Sequence, residues 1–158
     1  MCCDPEQVAE KFEAVLSDYG RVDGCFANAA IGVRGTAFDQ MSNAEWQQVL
    51  DVNLNGVFYV FRAAAAHMKT RAKDGDGFGR LVATSSTAAI SAQPRGQHYA
   101  ATKGGLLSMV KALAVEYARY GITAHSILPG WVETEMTEPV KDSDKMMAAI
   151  APRIPMRR

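Results

Sequence analysis

Residues 80–130 read RLVATSSTAAISAQPRGQHYAATKGGLLSMVKALAVEYARYGITAHSILPG, and this stretch decides the fold. Arg80 to Thr84 reads as a strand and Ile122 to Leu128 as another. Between them, residues 97–120 read as a helix closed by Gly121, and Pro129-Gly130 turns the chain out of the second strand. A strand, a crossover of this length and a further strand imply a parallel pair joined by a right-handed βαβ unit.

Upstream the same grammar repeats. Asp4, Pro5 and Gln7 form an N-cap, N1 proline and capping-box signature, followed on one helical face by Val8, Phe12, Val15, Leu16 and Tyr19. Gly20 ends that helix, Val22 to Ala27 reads as a short buried strand, and Ile31 to Gln40 as a loop. Ser42 with Glu45 opens a long helix to about Thr70, with Trp46, Val49, Leu50, Val57, Phe58 and Phe61 as its apolar positions. The KDGDGFG segment, 73–79, is a polar loop. The expected fold is therefore α/β, with three parallel strands in a single domain over residues 1–158.

Composition narrows the function classes. An apolar share of 48% supports a packed core, and 17 basic against 17 acidic residues leave no excess of the kind that nucleic acid or an anionic membrane requires. No signal peptide or membrane span is read, and Cys2, Cys3 and Cys25 make an odd count without metal spacing, so a reduced, cytoplasmic protein without a metal is expected. Cys25 reads as a buried structural thiol, and Cys2 and Cys3 as part of a frayed, exposed start.

In a parallel sheet, ligands bind beyond the carboxyl ends of the strands. Small or turn-forming residues stand there: Asn28-Ala29-Ala30, Ser85-Ser86-Thr87 and Pro129-Gly130-Trp131. Tyr99 and Lys103, four apart on one helix face, can bring an ammonium beside a phenol oxygen. At about 4 Å such a cation is worth on the order of 4 kcal/mol, roughly three pKa units, enough to bring a phenol toward general-base work. The pairing also arises by chance on helices, and Ser86 has the ordinary reading of a turn or cap residue. Asn53, in the middle of a helix where Asn is a poor choice, has that of a buried amide bonding to backbone.

The combination resembles the short-chain dehydrogenase/reductase family. YAATK at 99–103 with Ser86 thirteen residues upstream is similar to its Tyr-x-x-x-Lys and Ser signature. DVNLNGVF around Asn53 resembles the helix bearing the family's fourth catalytic residue, ANAA at 27–30 stands where N-N-A-G is usual, and PGWVET at 129–134 is similar to the P-G-x-x-x-T cofactor loop. The resemblance implies that Tyr99 is the proton donor or acceptor, that Lys103 lowers its pKa and holds the nicotinamide ribose, and that Ser86 hydrogen-bonds the substrate oxygen. Asn53 would hold a water in a proton relay. Val132 and Thr134 would meet the carboxamide and phosphate side of NAD or NADP and Asn28 the adenosine side, with Ala29, Ala30, Pro129 and Gly130 also binding the cofactor. The activity implied is hydride transfer between NAD(P)(H) and a secondary alcohol or ketone; a nucleotide-sugar epimerase or dehydratase also uses Tyr-x-x-x-Lys, but the thirteen-residue spacing argues against it.

Departures from the pattern set further expectations. Ala27 and Ala30 replace an Asn and a Gly. Family members begin with a strand, a T-G-x-x-x-G-x-G turn that cradles the pyrophosphate and two more strands, and they continue past this chain's PRIPMRR into a helix and last strand. A partial Rossmann-like doubly wound sheet is expected, without the first βαβ half or the last strand, with an open edge at the first visible strand and uncovered apolar helix faces. Homo-oligomerisation through the helices starting near Ser42 and Gln97 is the expected outlet. The rival reading is a non-catalytic dimerisation or interaction fragment. NAD and NADP are not distinguished by these residues, and the substrate pocket is expected along the Ile31 to Gln40 loop and beyond Met136.

Overall fold

The computed structural model describes residues 4–32, 35–91, 94–134, 137 and 143–155. Cys2 and Cys3 lie outside them, as do residues 138–142 and 156–158 of the segment following Met136. The chain groups into two compact units, Met1–Leu128 and Pro129–Arg158.

The first unit opens with α1 (Pro5–Tyr19). Asp4 caps it, its carboxylate accepting from the Glu6 and Gln7 amides at 2.9 and 3.2 Å. Gln7 completes the cap differently from the expected box, donating from Nε2 to the Asp4 carboxylate at 2.8 Å. Gly20, at φ 74°, closes the helix. β1 is Gly24–Ala27, shorter than the expected run because the Val22 peptide is bonded to a helix instead of a strand.

The helix opened by Ser42 is in three parts: α2 (Asn43–Leu50), a π-helical turn (Asp51–Asn55) and α3 (Gly56–Lys73). Its capping box is complete, with the Glu45 amide donating to Ser42 Oγ at 3.2 Å and the Ser42 amide to Glu45 Oε2 at 2.9 Å. Those bonds, the Ser42 amide foremost, hold the Glu45 carboxyl below its ordinary pKa. β2 (Gly79–Thr84), α4 (Gln97–Tyr117) and β3 (Ile122–Ile127) follow, with a 3-10 turn, Ala118–Tyr120, finishing the third helix. Gly121 is at φ 69°, and a Cβ there would run into the Gly77 carbonyl.

The strands form a parallel sheet in the order β1-β2-β3, with Cys25 opposite Leu81 and Leu81 opposite Ala124. Two crossovers in the same direction put α3 and α4 on one face. There Ala27, Leu81, Ala83, Ile122 and Ala124 meet Val57, Phe61, Ala64, Ala65 and Met68 of α3 and Leu106 and Val110 of α4. Alternation along the strands turns Phe26, Val82, His125 and Ile127 to the opposite face, where Phe26 is 58% exposed. Among the described residues, β1 is paired on one side only. Phe58, expected among the apolar positions of its helix, is exposed, while Val49, Val57 and Phe61 are buried. Cys25 is half-buried, and burial pushes its thiol up to about 11, so it is an inert thiol at neutral pH.

In the second unit, α5 (Asp144–Ile150) is capped by Ser143. No helix of the described residues is long and apolar enough to cross a membrane.

Candidate active site

The candidate residues gather at the carboxyl ends of the strands, where a parallel sheet leaves its crevice. β2 is the hub. Its alternation places Gly79, Leu81, Ala83 and then Ser85 on the buried side, so the two serines after it part company. Ser85 is buried, donating from Oγ to the Lys103 carbonyl at 2.8 Å while its amide extends the ladder to the Ile127 carbonyl. Ser86 is half-buried at the start of a 3-10 turn, Thr87–Ala89, and its Oγ accepts from the Ala88 amide at 3.1 Å. That turn packs against α4, its Ala89 carbonyl 3.9 Å from where a Gly104 Cβ would stand.

Lys103 comes from the second turn of α4 with 2% of its surface exposed, and its Nζ donates to the Thr84 carbonyl at 2.8 Å. One of three ammonium protons is thereby used. Burial pulls its pKa down to about 8. The same Nζ lies 5.5 Å from the Tyr99 ring centroid, so the two residues share a helix face. Tyr99 is half-buried, and its hydroxyl makes no hydrogen bond among the described residues.

Asn28 bonds to a side chain and Asn53 to the backbone. Thr84 Oγ1 donates to Asn28 Oδ1 at 2.8 Å, tying the exits of β1 and β2 together, so Thr84 links Asn28 through its side chain to Lys103 through its carbonyl. Ala29 is exposed and Ala30 half-buried beside it. Asn53 is fully buried within the π turn, its Oδ1 accepting from the Ile31 amide at 2.8 Å and its Nδ2 donating to the Ile31 carbonyl at 3.0 Å. A two-bond grip on the main chain of one residue fixes the segment after β1, and the widened turn presents the amide to it.

Pro129, Gly130, Val132 and Thr134 belong to the second unit. There Val132 and Thr134 form a turn closed by Thr137, whose Oγ1 accepts from the Thr134 amide at 3.0 Å and donates to the Val132 carbonyl at 2.8 Å.

Three contributors were not singled out from sequence: Ser85, Thr84 and His98. Ser85 was legible in principle from the two-residue period of β2, whereas Thr84 acts partly through a carbonyl, which leaves no mark on composition. His98, next to Tyr99, is 3% exposed, and its Nδ1 has no partner among the described residues. Burial lowers its pKa, opposed by Glu45. Among the described residues, no group of three or more His, Cys, Asp or Glu is placed to hold a metal ion.

This arrangement has the parts for proton transfer to or from an oxygen: a phenol hydroxyl unbonded among the described residues, a buried ammonium near its ring and a serine hydroxyl at a strand end. The chain's own residues fit the nicotinamide-ribose end of a dinucleotide, since Lys103 Nζ lies over the Tyr99 ring and, among the described residues, keeps two unused ammonium protons.

Comparison with known proteins bears on the family and the fold. A family model described as enoyl-(acyl carrier protein) reductase matches residues 2–158. The 3-oxoacyl-(acyl-carrier-protein) reductase of Thermotoga maritima is 35% identical over 155 residues, which cover 98% of this chain and 60% of the relative. A gluconate 5-dehydrogenase from Burkholderia cenocepacia, solved in complex with NADP and tartrate, superposes with a TM-score of 0.91 at 31% identity, covering 99% of this chain and 59% of that one. A 3-ketoacyl-(acyl-carrier-protein) reductase from Brucella melitensis, complexed with NADH, gives 0.87 at 29% identity, covering 100% and 62%. The chain thus spans about 60% of the length of the relatives it matches. With the signature residues gathered at the strand ends and the sheet shared with these relatives, the chain belongs to the short-chain dehydrogenase/reductase family.

Proposed function

We propose that this chain carries the acid–base half of an NAD(P)-dependent oxidoreductase acting on a secondary alcohol or ketone. The carrying observation is the buried Lys103 ammonium on the same helix face as the unbonded Tyr99 hydroxyl. When bound, a nicotinamide cofactor supplies or accepts the hydride. Tyr99 gives its hydroxyl proton to the substrate oxygen during reduction and takes it back during oxidation. Ser86 Oγ–H donates to that oxygen and stabilises the charge that develops on it. Lys103, held by the Thr84 carbonyl, keeps a positive field on the phenol side and offers its remaining protons to the ribose. Asn53 and Asn28 hold the exit of β1 in place for the adenosine side. Pro129, Gly130, Val132 and Thr134 are assigned to the carboxamide and phosphates, and cytoplasmic residence belongs to the same reading. Relatives solved with NADP and with NADH support the cofactor class without choosing between the two.

A second reading, a non-catalytic association module, is favoured by one observation: Val115 of α4 and Phe58 of α3 stand 82% and 44% exposed. Pairing of two copies through α2–α3 and α4 would cover them, and it is compatible with the enzymatic reading.

Fluorescence titration with NADH and NADPH separates the two. The enzymatic reading expects binding at or below millimolar concentration, weakened by Lys103→Met and little changed by Tyr99→Phe. It also expects Tyr99→Phe to lower ketone reduction by about 10²–10⁴-fold. Binding of neither nucleotide would leave the association module, and activity surviving Tyr99→Phe would remove the proposed acid–base role.

A further inference from the structure

At the end of the sheet opposite the candidate active site, one peptide is clamped from both sides by a single helix. The Val22 amide donates to His67 Nε2 at 3.3 Å, and the Val22 carbonyl accepts from Arg71 Nη1 at 2.9 Å. His67 and Arg71 are four apart on α3, so they stand on one face, one turn from each other. Val22 lies between the Gly20 cap of α1 and the start of β1, so the clamp sets where the chain leaves one element and enters the next.

The two halves of the clamp differ in kind. The guanidinium of Arg71 keeps its charge at any ordinary pH. An imidazole nitrogen accepts an amide proton only while it carries no proton of its own. The bond therefore requires His67 to be neutral, with its proton on Nδ1. Once Nε2 is protonated, two N–H donors face each other.

We infer that His67 is an acid-sensitive latch that fastens the α1–β1 junction, and through it α1, to α3. α1 is suited to such release because none of its residues is fully buried. It faces His67 with the Phe12 ring, edge-on at 6.2 Å between centroids and 68° between planes. The charged groups tied to the clamp are Arg71 on the imidazole's own helix and, in one ion-pair cluster with it, Arg21 and Asp23 in the α1–β1 turn and Asp76 after α3. Asp23 bridges Arg21 and Arg71 at 2.6 and 2.9 Å, and Asp76 bridges the same two at 3.3 and 2.7 Å. The carboxylates are thus engaged with the guanidiniums, and the nearest of these groups bonded to the Val22 peptide is a cation. Acid opens the latch at the amide while leaving the Arg71 half closed, so loosening begins at α1 and not at the strand.

Amide hydrogen exchange and ¹⁵N-imidazole spectra of the full chain test this. At pH 7.5 the His67 spectrum is expected to show Nε2 unprotonated, and the Val22 protection factor to fall about tenfold on acidification, with α1 amides following. His67→Gln, whose carbonyl oxygen can accept but does not titrate, is expected to keep Val22 protected across the same range, and His67→Lys to leave it unprotected throughout. A Val22 protection factor independent of pH in the native chain would overturn the latch. So would an unchanged pH dependence in His67→Gln. If the variants do not fold, an imidazole carrying its proton on Nε2 at pH 7.5 in the native chain overturns it alone.

Discussion

Replacing Lys103 by Met, a side chain of similar length without charge, should change how stability depends on pH more than it changes stability at neutrality. Lys103 is 2% exposed, and burial brings its pKa from an ordinary 10.5 to about 8. Because the folded value lies below the unfolded one, the unfolded chain binds more protons between these two pH values, and the folded state gains stability as pH rises through that window. From pH 7.5 to 9.5 the gain from this residue is about 2 kcal/mol, or about 1 kcal/mol once residual solvent screening is allowed for. Below about pH 8 the buried charge costs roughly 3 kcal/mol relative to the unfolded chain. Met removes that cost but leaves the Thr84 carbonyl without its donor, a loss of about 1.5–3 kcal/mol, so the two nearly offset at pH 7.5. The assay is urea unfolding of both proteins at pH 7.5, 8.5 and 9.5, read as a difference. Contributions common to both then cancel, including that of Cys25, whose thiol, pushed up to about 11, loses stability as pH rises. Parallel pH dependences in the two proteins would refute a buried, charge-penalised Lys103.

Asn53→Leu should cost about 2–4 kcal/mol by stripping both partners from the Ile31 peptide, checked by urea unfolding; a loss below about 0.5 kcal/mol would mean the segment is held otherwise. Ser85→Ala should lower stability by about 1 kcal/mol through its bond to the Lys103 carbonyl. Ser86→Ala loses only the cap of a three-residue turn, about 0.5 kcal/mol, and the reverse ranking would contradict the division of labour between the two serines. Gly121→Ala, with its left-handed backbone and the Gly77 carbonyl in the way, should cost about 3 kcal/mol or more in thermal or urea unfolding, and a neutral effect would show that the loop yields.

Much of this molecule was legible before any coordinates. Local chemistry speaks at short range: Asp4-Pro5, Ser42 with Glu45, Gly20 and Gly121 each announce a helix end because capping involves neighbours within four residues. The apolar runs announce the strands because a buried strand needs them. Tyr99 and Lys103 could be placed on one face because helix geometry alone decides it, and with Ser86, DVNLNGVF, ANAA and PGWVET they carried the resemblance to the family.

What sequence left open depends on partners far along the chain. The π turn around Asn53 has no composition of its own, and the residue its amide bonds, Ile31, lies 22 residues away. The Thr84 carbonyl that holds Lys103 is a main-chain atom, identical in every residue type. The separation of Ser85 from Ser86 required knowing which face of β2 is covered, and that is decided by where α3 and α4 pack. His67 carried no signal either, since its significance lies in a bond to the Val22 amide 45 residues earlier. The amino-acid order by itself determined the elements, their α/β succession and the residues able to do proton chemistry; only tertiary packing decided which of them face the crevice and which bind the backbone, because that choice is made by groups that meet through space.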